Sequence, residues 1–168
     1  ESGMIVVPGA ATSYTIVLSP SGIDRIFLHD PGASDTFTSE DIRWDRLSGV
    51  TLFHFGYPTV MRKMYEDEGR ELCGIFSRVK SMGIATSLDM AGVDPDSEAG
   101  RADWNSILKN VLGDVDFFLP SIEELTFMLD RKVIDPDLSG ISIEDDVKPL
   151  ADRLLEMGAK VVLIKCGA

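Results

Sequence analysis

Small and polar residues stand directly after four short apolar runs of this chain. Gly56 follows residues 51–55, Asp89 follows 84–88, Pro120 and Ser121 follow 115–119, and Lys165 and Gly167 follow 161–164. If those runs are parallel strands, their C-terminal ends form one rim, and open parallel sheets bind ligands beyond that rim. A row of small and polar groups there suits a cleft for a small polar ligand, and the glycines let backbone come close to a phosphate. Lys165 is the unusual member, because a strand buried on both faces tolerates a lysine mainly where its amine emerges at the rim. Asp89 has two readings, a cap for the following turn or a carboxylate facing the cleft. Ser121 and Glu124 spell S-x-x-E, a capping box that accounts for both residues structurally and is compatible with a ligand role. His29 and His54, the only histidines, read as strand-end packing or hydrogen-bonding residues ahead of catalysts. Arg25 reads as a surface charge.

Several other chemistries find no support. The chain has no GxxxxGK[ST], no GxGxxG after a strand, no HExxH and no GxSxG. The acidic loop Asp94-Pro95-Asp96-Ser97-Glu98 fails as a calcium loop, since its sixth position is Ala99 and its twelfth Asn105.

The elements that would position the rim follow from periodicity. Residues 14–18 and 24–29 are two β-rich runs around the turn cluster Ser19-Pro20-Ser21-Gly22, which predicts an antiparallel hairpin. The turn residues from Asp30 to Ser34 then break the pattern. Beyond them, apolar strands alternate with helices. Met61, Met64, Tyr65, Leu72, Ile75, Phe76 and Val79 lie at helical spacing, which predicts one helix over about 60–80 stopped by Gly83. Trp104, Ile107, Leu108, Val111 and Leu112 mark a second helical face. A short helix is expected over 121–129, and another around Leu150, Ala151, Leu154 and Leu155, begun or kinked by Pro149 and capped by Gly158. Strands so separated predict a parallel sheet covered on both faces, with right-handed crossovers. Residues 130–146 form the longest irregular stretch.

Bulk properties narrow the partners. The 168 residues suffice for one domain, and 44% hydrophobic with 26% charged residues is a globular composition. Sixteen basic against twenty-eight acidic residues, a net charge of −12, disfavours nucleic acid and anionic membrane surfaces. Cys73 and Cys166 lie far apart without CxxC spacing and read as reduced thiols. No segment approaches the ~20 apolar residues of a span, and the N-terminus has no signal-peptide pattern, so a soluble, cytoplasmic protein is expected. The opening Glu1-Ser2-Gly3 and the final strand-like run up to Ala168 read as truncation at both ends.

Five segments together resemble the ribokinase, or phosphofructokinase-B (PfkB), family of carbohydrate kinases. Pro120-Ser121-Ile122-Glu123-Glu124, after the strand Asp116-Phe117-Phe118-Leu119, resembles the family's Asn-x-x-Glu region. Residues 25–33 resemble its lid strand and Gly-Ala turn, and residues 53–58 its central strand near the sugar. Ser87-Leu88-Asp89 is similar to the strand ending in Asp or Asn, and residues 161–167 to the strand carrying the Lys-x-Gly nucleotide edge. The resemblance implies a three-layer α/β/α ribokinase-like fold, incomplete at both ends, with a β lid in 1–37 and a partial α/β core in 38–168. It implies ATP and Mg2+ as cofactors, with Ser121, Glu124, Lys165 and Gly167 on the nucleotide side and Glu124 holding the metal's waters. It puts Arg25, His29, Gly56 and Asp89 on the sugar side, and it implies a homodimer paired through the lid.

The chain departs from the family in four places. It lacks the Gly-Gly substrate motif and the Gly-Ala-Gly-Asp motif that carries the catalytic Asp, so this chain alone is expected to be inactive. Ser121 replaces the family Asn, which bears on the metal-and-water network. Gly56 stands where ribokinase has a sugar-binding Glu, which argues against ribose itself. The competing reading is a non-catalytic small-molecule or nucleotide-binding, regulatory domain derived from a kinase fold.

Overall fold

A computed structural model describes residues 3–22, 25–134 and 138–167. Readings that touch Glu1, Ser2, Asp24, residues 135–137 or Ala168 fall outside them.

The hairpin forms as the two β-rich runs around a turn cluster predict. Strands β1 (Tyr14–Leu18) and β2 (Ile26–Asp30) pair antiparallel, with Ile16 opposite Leu28 and Leu18 opposite Ile26. One face of this ribbon carries Tyr14, Ile16, Leu18, Ile26 and Leu28, all about half exposed. A 3-10 turn over Gly32–Thr36 follows, held to the core by Asp35, which ion-pairs with Arg62 at 3.1 Å.

Four parallel strands make the main sheet: β3 (Leu52–Gly56), β4 (Ala85–Asp89), β5 (Phe117–Leu119) and β6 (Val161–Val162), in the spatial order β3-β4-β5-β6. Each crossover contains helix. α1 (Arg62–Tyr65) and α2 (Arg70–Ser81) join β3 to β4, α3 (Glu98–Arg101) and α4 (Trp104–Val111) join β4 to β5, and α5 (Ile122–Asp130) and α6 (Lys148–Glu156) join β5 to β6. Crossovers of one hand along a sheet laid down in one direction leave all their helices on the same side. The burial pattern follows that rule. Phe55, Leu88 and Phe118 are buried under Ile75, Phe76, Leu108 and Leu125, whereas Leu52, Phe117, Val161 and Leu163 remain 39–52% exposed. Among the described residues, the sheet and one of the two helical layers of the expected sandwich are present.

The single helix read over 60–80 is corrected by the structure to two. Between α1 and α2, Asp67, Glu68 and Gly69 all adopt left-handed φ values of 50°, 57° and 74°. The reason is tertiary. A Cβ on Gly69 would lie 2.8 Å from Cγ2 of Ile107, so α4 packs against the chain where a continuous helix would place a side chain. The apolar periodicity survived the break because both pieces bury the same face, Met64 in α1 and Leu72, Ile75, Phe76 and Val79 in α2. Gly83 closes α2 at φ 75°, Pro149 lies in the first turn of α6, and Gly158 follows α6 at φ 114°. The irregular stretch after Asp130 contains a 3-10 turn at Leu138–Gly140 and a π turn at Ile143–Val147. No helix of the described residues is long and apolar enough to cross a membrane, and Cys73 and Cys166 are both free.

Candidate functional site

Sheet register alone brings the rim residues together. Gly56 ends β3 opposite Asp89, which ends β4, and Asp89 in turn faces Leu119 at the end of β5. Past the strands, Ser121 and Lys165 form an isolated parallel bridge, with the Lys165 N–H donating to the Pro120 carbonyl at 2.9 Å and the Ile122 N–H donating to the Lys165 carbonyl at 3.0 Å. Lys165 Nζ then reaches across β5 to Asp89 Oδ1 at 2.7 Å. That carboxylate oxygen also accepts the Met90 N–H at 2.8 Å, which is the turn-capping role read for Asp89.

The start of α5 is built by the capping box. Ser121 Oγ accepts the Glu124 N–H at 3.2 Å, and Glu124 Oε2 accepts the Ser121 N–H at 2.7 Å. Glu124 is buried, and its Oε1 accepts no hydrogen bond among the described residues. Burial pushes its carboxyl above the usual range, the charges of Asp89 and Glu123 add to that, and the Ser121 N–H and Lys165 act against it. Burial alone would lower the Lys165 ammonium, but the hydrogen bond to Asp89 and the charge of Glu124 outweigh it and raise it. The rim therefore holds two carboxylates around one lysine, a buried acid whose charged form gains from a nearby cation.

Magnesium fits this donor set in one way only. Among the described residues no group of three or more His, Cys, Asp or Glu could form a protein cage. One buried carboxylate with a spare oxygen suits an ion that keeps several of its waters and takes the rest of its ligands from phosphates.

The remaining candidates lie elsewhere. Gly167 follows the bridge at φ 80°, a conformation that favours glycine. Arg25 lies 5.5 Å from the centroid of the Phe27 ring on the hairpin, and His29 Nδ1 is paired with Thr15 Oγ1 across the strands at 2.8 Å. Among the described residues, no hydrogen bond or ion pair joins His29 to the rim. His54 Nδ1 pairs with Ser87 Oγ at 3.1 Å, a strand-to-strand contact of the kind expected of it.

Two features escaped the sequence reading. Tyr57, next to Gly56, has a left-handed backbone (φ 67°, ψ 52°), and its N–H donates to the Asp89 carbonyl at 3.1 Å. At the opposite end of the sheet, Asp116 collects Lys80 Nζ at 2.8 and 2.9 Å, Lys160 Nζ at 2.6 Å and the Thr86 N–H at 2.8 Å. An Asp just before an apolar strand was the only signal for it, and strand entry alone would explain that. Its two lysines come from α2 and from the turn before β6, far apart in sequence.

The chain is similar in sequence and in fold to several known proteins. No protein-family model matches the chain. An uncharacterized sugar kinase of Archaeoglobus fulgidus is 25% identical over 98% of the chain, which covers 55% of that protein. Fructokinase from Xylella fastidiosa has a similar fold at 17% identity, with a TM-score of 0.66 over 99% of this chain and 50% of its own. A structure of fructokinase from the same organism with bound ATP is also similar, with a TM-score of 0.65. A putative ribokinase II from E. coli matches at 20% identity and a TM-score of 0.64, over 96% of this chain and 47% of its own. At those identities the structures speak to the fold, and the chain spans about half the length of the relatives it matches.

Proposed function

We infer that this chain is part of an ATP-dependent kinase of the ribokinase (PfkB) type, acting on a hydroxyl of a sugar or sugar-like substrate. The observation that carries the reading is the rim, where Gly56, Asp89, Ser121, Glu124 and Lys165 line the C-terminal ends of consecutive parallel strands. In this reading Lys165 and Gly167 approach the nucleotide phosphates, and Glu124 holds the waters of a magnesium ion. Asp89 and the side-chain-free edge at Gly56 face the sugar, with Arg25 and His29 approaching from the lid. Magnesium supplies charge neutralisation on the transferring phosphoryl group. The chain's own residues bind and orient, because the Gly-Ala-Gly-Asp motif with the proton-accepting Asp is not in this sequence. Titration calorimetry with ATP, ADP and a panel of monosaccharides tests the reading. Binding of both ligand classes without ATP hydrolysis or sugar phosphorylation is expected, and turnover by a contaminant-free preparation, or binding of neither class, would overturn it.

Glu124→Gln separates ligand from cap. Glutamine preserves the capping box, and it removes a charge whose folded-state acidity is weakened by burial. A carboxyl with a raised folded pKa contributes stability at low pH that is lost as pH rises through that pKa. At neutral pH the variant is therefore expected to unfold within about 0.5 kcal/mol of the parent, or slightly above it. The affinity for magnesium-ATP is expected to fall severalfold, whereas magnesium-free ATP is little affected. A loss of stability with unchanged affinity would leave the cap as its whole role.

The lid supports a homodimer in the same reading. Its apolar face of Tyr14, Ile16, Leu18, Ile26 and Leu28 is about half exposed, and a two-stranded ribbon is marginal unless another surface covers it. Sedimentation of the chain is expected to show a dimer, and Ile16→Asp with Leu28→Asp is expected to yield monomers with an unchanged core circular dichroism. A parent that sediments as a monomer at high micromolar concentration would remove the lid from the assembly. The same reading places the protein in the cytoplasm.

A further inference from the structure

We propose that Tyr57 is a specificity-determining residue of the rim, its ring packing against the C–H face of an unphosphorylated sugar or cyclic polyol. This rests on the kinase reading above and adds a residue that neither the family motifs nor the capping chemistry assigns.

The backbone is the first observation. At φ 67° and ψ 52°, and directly before Pro58, Tyr57 occupies a region that bulky L-residues rarely adopt. The surroundings enforce it. Its N–H donates to the Asp89 carbonyl at 3.1 Å, its own carbonyl accepts the Val60 N–H at 3.1 Å, and buried Thr59 donates through Oγ1 to the Ala91 carbonyl at 3.2 Å. The end of β3 is thus tied to the loop after β4. Glycine would take this conformation without strain, yet the chain places a large ring there, and strain held at a pinned position points toward a use for the side chain.

The ring is the second. Tyr57 is 50% exposed and makes no hydrogen bond, ring contact or ion pair through its side chain among the described residues. Other large rings of the core side are engaged: Tyr65 packs on Trp104 at 6.1 Å between centroids, and the indole N–H groups of Trp44 and Trp104 donate to the Ser39 and Ala99 carbonyls at 2.8 and 2.7 Å.

Position is the third. Gly56 beside it has no side chain, and a Cβ there would meet only His54 Nε2, at 3.6 Å. Asp89 lies across the strand ends as an acceptor for hydroxyl protons. An aromatic body with a polar tip next to a carboxylate complements a molecule with one apolar face and a hydroxyl-bearing edge. A cyclic sugar has that form.

The test uses this chain with ring-labelled tyrosine, probed by fructose, ribose and inositol, with ADP as the nucleotide-side control. Tyr57 ring resonances are expected to shift with at least one of the three. Tyr57→Gly is expected to weaken that sugar at least tenfold, to leave ADP affinity within twofold, and to melt no lower than the parent because glycine relieves the left-handed strain. Tyr57→Phe is expected to retain sugar affinity within about threefold. Equal sugar binding by the parent and Tyr57→Gly, or ADP binding with no response to any of the sugars, would overturn the role of Tyr57 while leaving the kinase reading standing. Binding of neither ADP nor sugar would overturn both.

Discussion

Replacing Asp116 with alanine is expected to lower the unfolding free energy by about 3 kcal/mol, within the range for removing one partner of a buried charge cluster. The Asp116 side chain is 11% exposed and binds Lys80 (26% exposed), the Thr86 N–H and the largely exposed Lys160. Its loss strands a half-buried ammonium and an amide of β4 together, at the end of the sheet where β4, β5 and β6 begin. Lys160→Ala is expected to cost under about 1 kcal/mol, because that side chain is 65% exposed and solvent screens its pair. Lys80→Ala should lie between the two. Denaturant unfolding of the three variants checks the ranking, and equal losses for Lys80 and Lys160 would contradict it.

The same cluster sets an acid limit. Burial would raise the Asp116 carboxyl, but hydrogen bonds from Lys160, Lys80 and the Thr86 amide outweigh it and hold the group far below the usual carboxylate range. A depressed folded pKa gives stability that is complete above the unfolded value, about 3.9 for Asp, and that is lost as pH falls from there toward the folded one. Unfolding free energy of the parent is therefore expected to fall more steeply below about pH 4 than that of Asp116→Asn. Parallel acid profiles would show that the lysines do not hold the ionised form.

Lys165→Ala is expected to weaken ATP and ADP binding tenfold or more, about 1.4 kcal/mol or above, while costing less than about 1 kcal/mol of stability. The two effects separate because the lysine is 48% exposed, so its pair with Asp89 adds little to the fold, yet its ammonium is the only cation drawn to the Asp89 and Glu124 carboxylates at the rim among the described residues. Removing it leaves those two acids facing any polyphosphate without compensation. Lys165→Arg keeps the charge but replaces a compact ammonium with a planar fork, and recovers only part of the affinity. The salt dependence of ATP binding should flatten in Lys165→Ala. A folded variant that binds ATP as the parent does would remove Lys165 from the nucleotide side, and Gly167 with it.

The elements of this chain were legible because their signals are local. A β-rich run before a Pro/Gly turn gave β1, the 3.6-residue periodicity of Trp104, Ile107, Leu108 and Val111 gave α4, and S-x-x-E gave the start of α5, since each pattern involves residues a few positions apart whose geometry the backbone dictates. Parallel strands also end where their crossovers begin, so the polar residues after each apolar run had to share a rim once the strands were paired. Long-range packing decided the rest. α4 pressing on Gly69 split the helix read over 60–80, and the one-directional strand order put the helices of the described residues on one sheet face. The Lys165–Asp89 pair spans 76 positions and the Lys80–Asp116 pair 36, and Tyr57 was turned left-handed by a carbonyl thirty-two residues away. Periodicity records which side of an element faces inward, but which charge meets which, and where a turn is forced into strain, is determined only when distant strands settle into register.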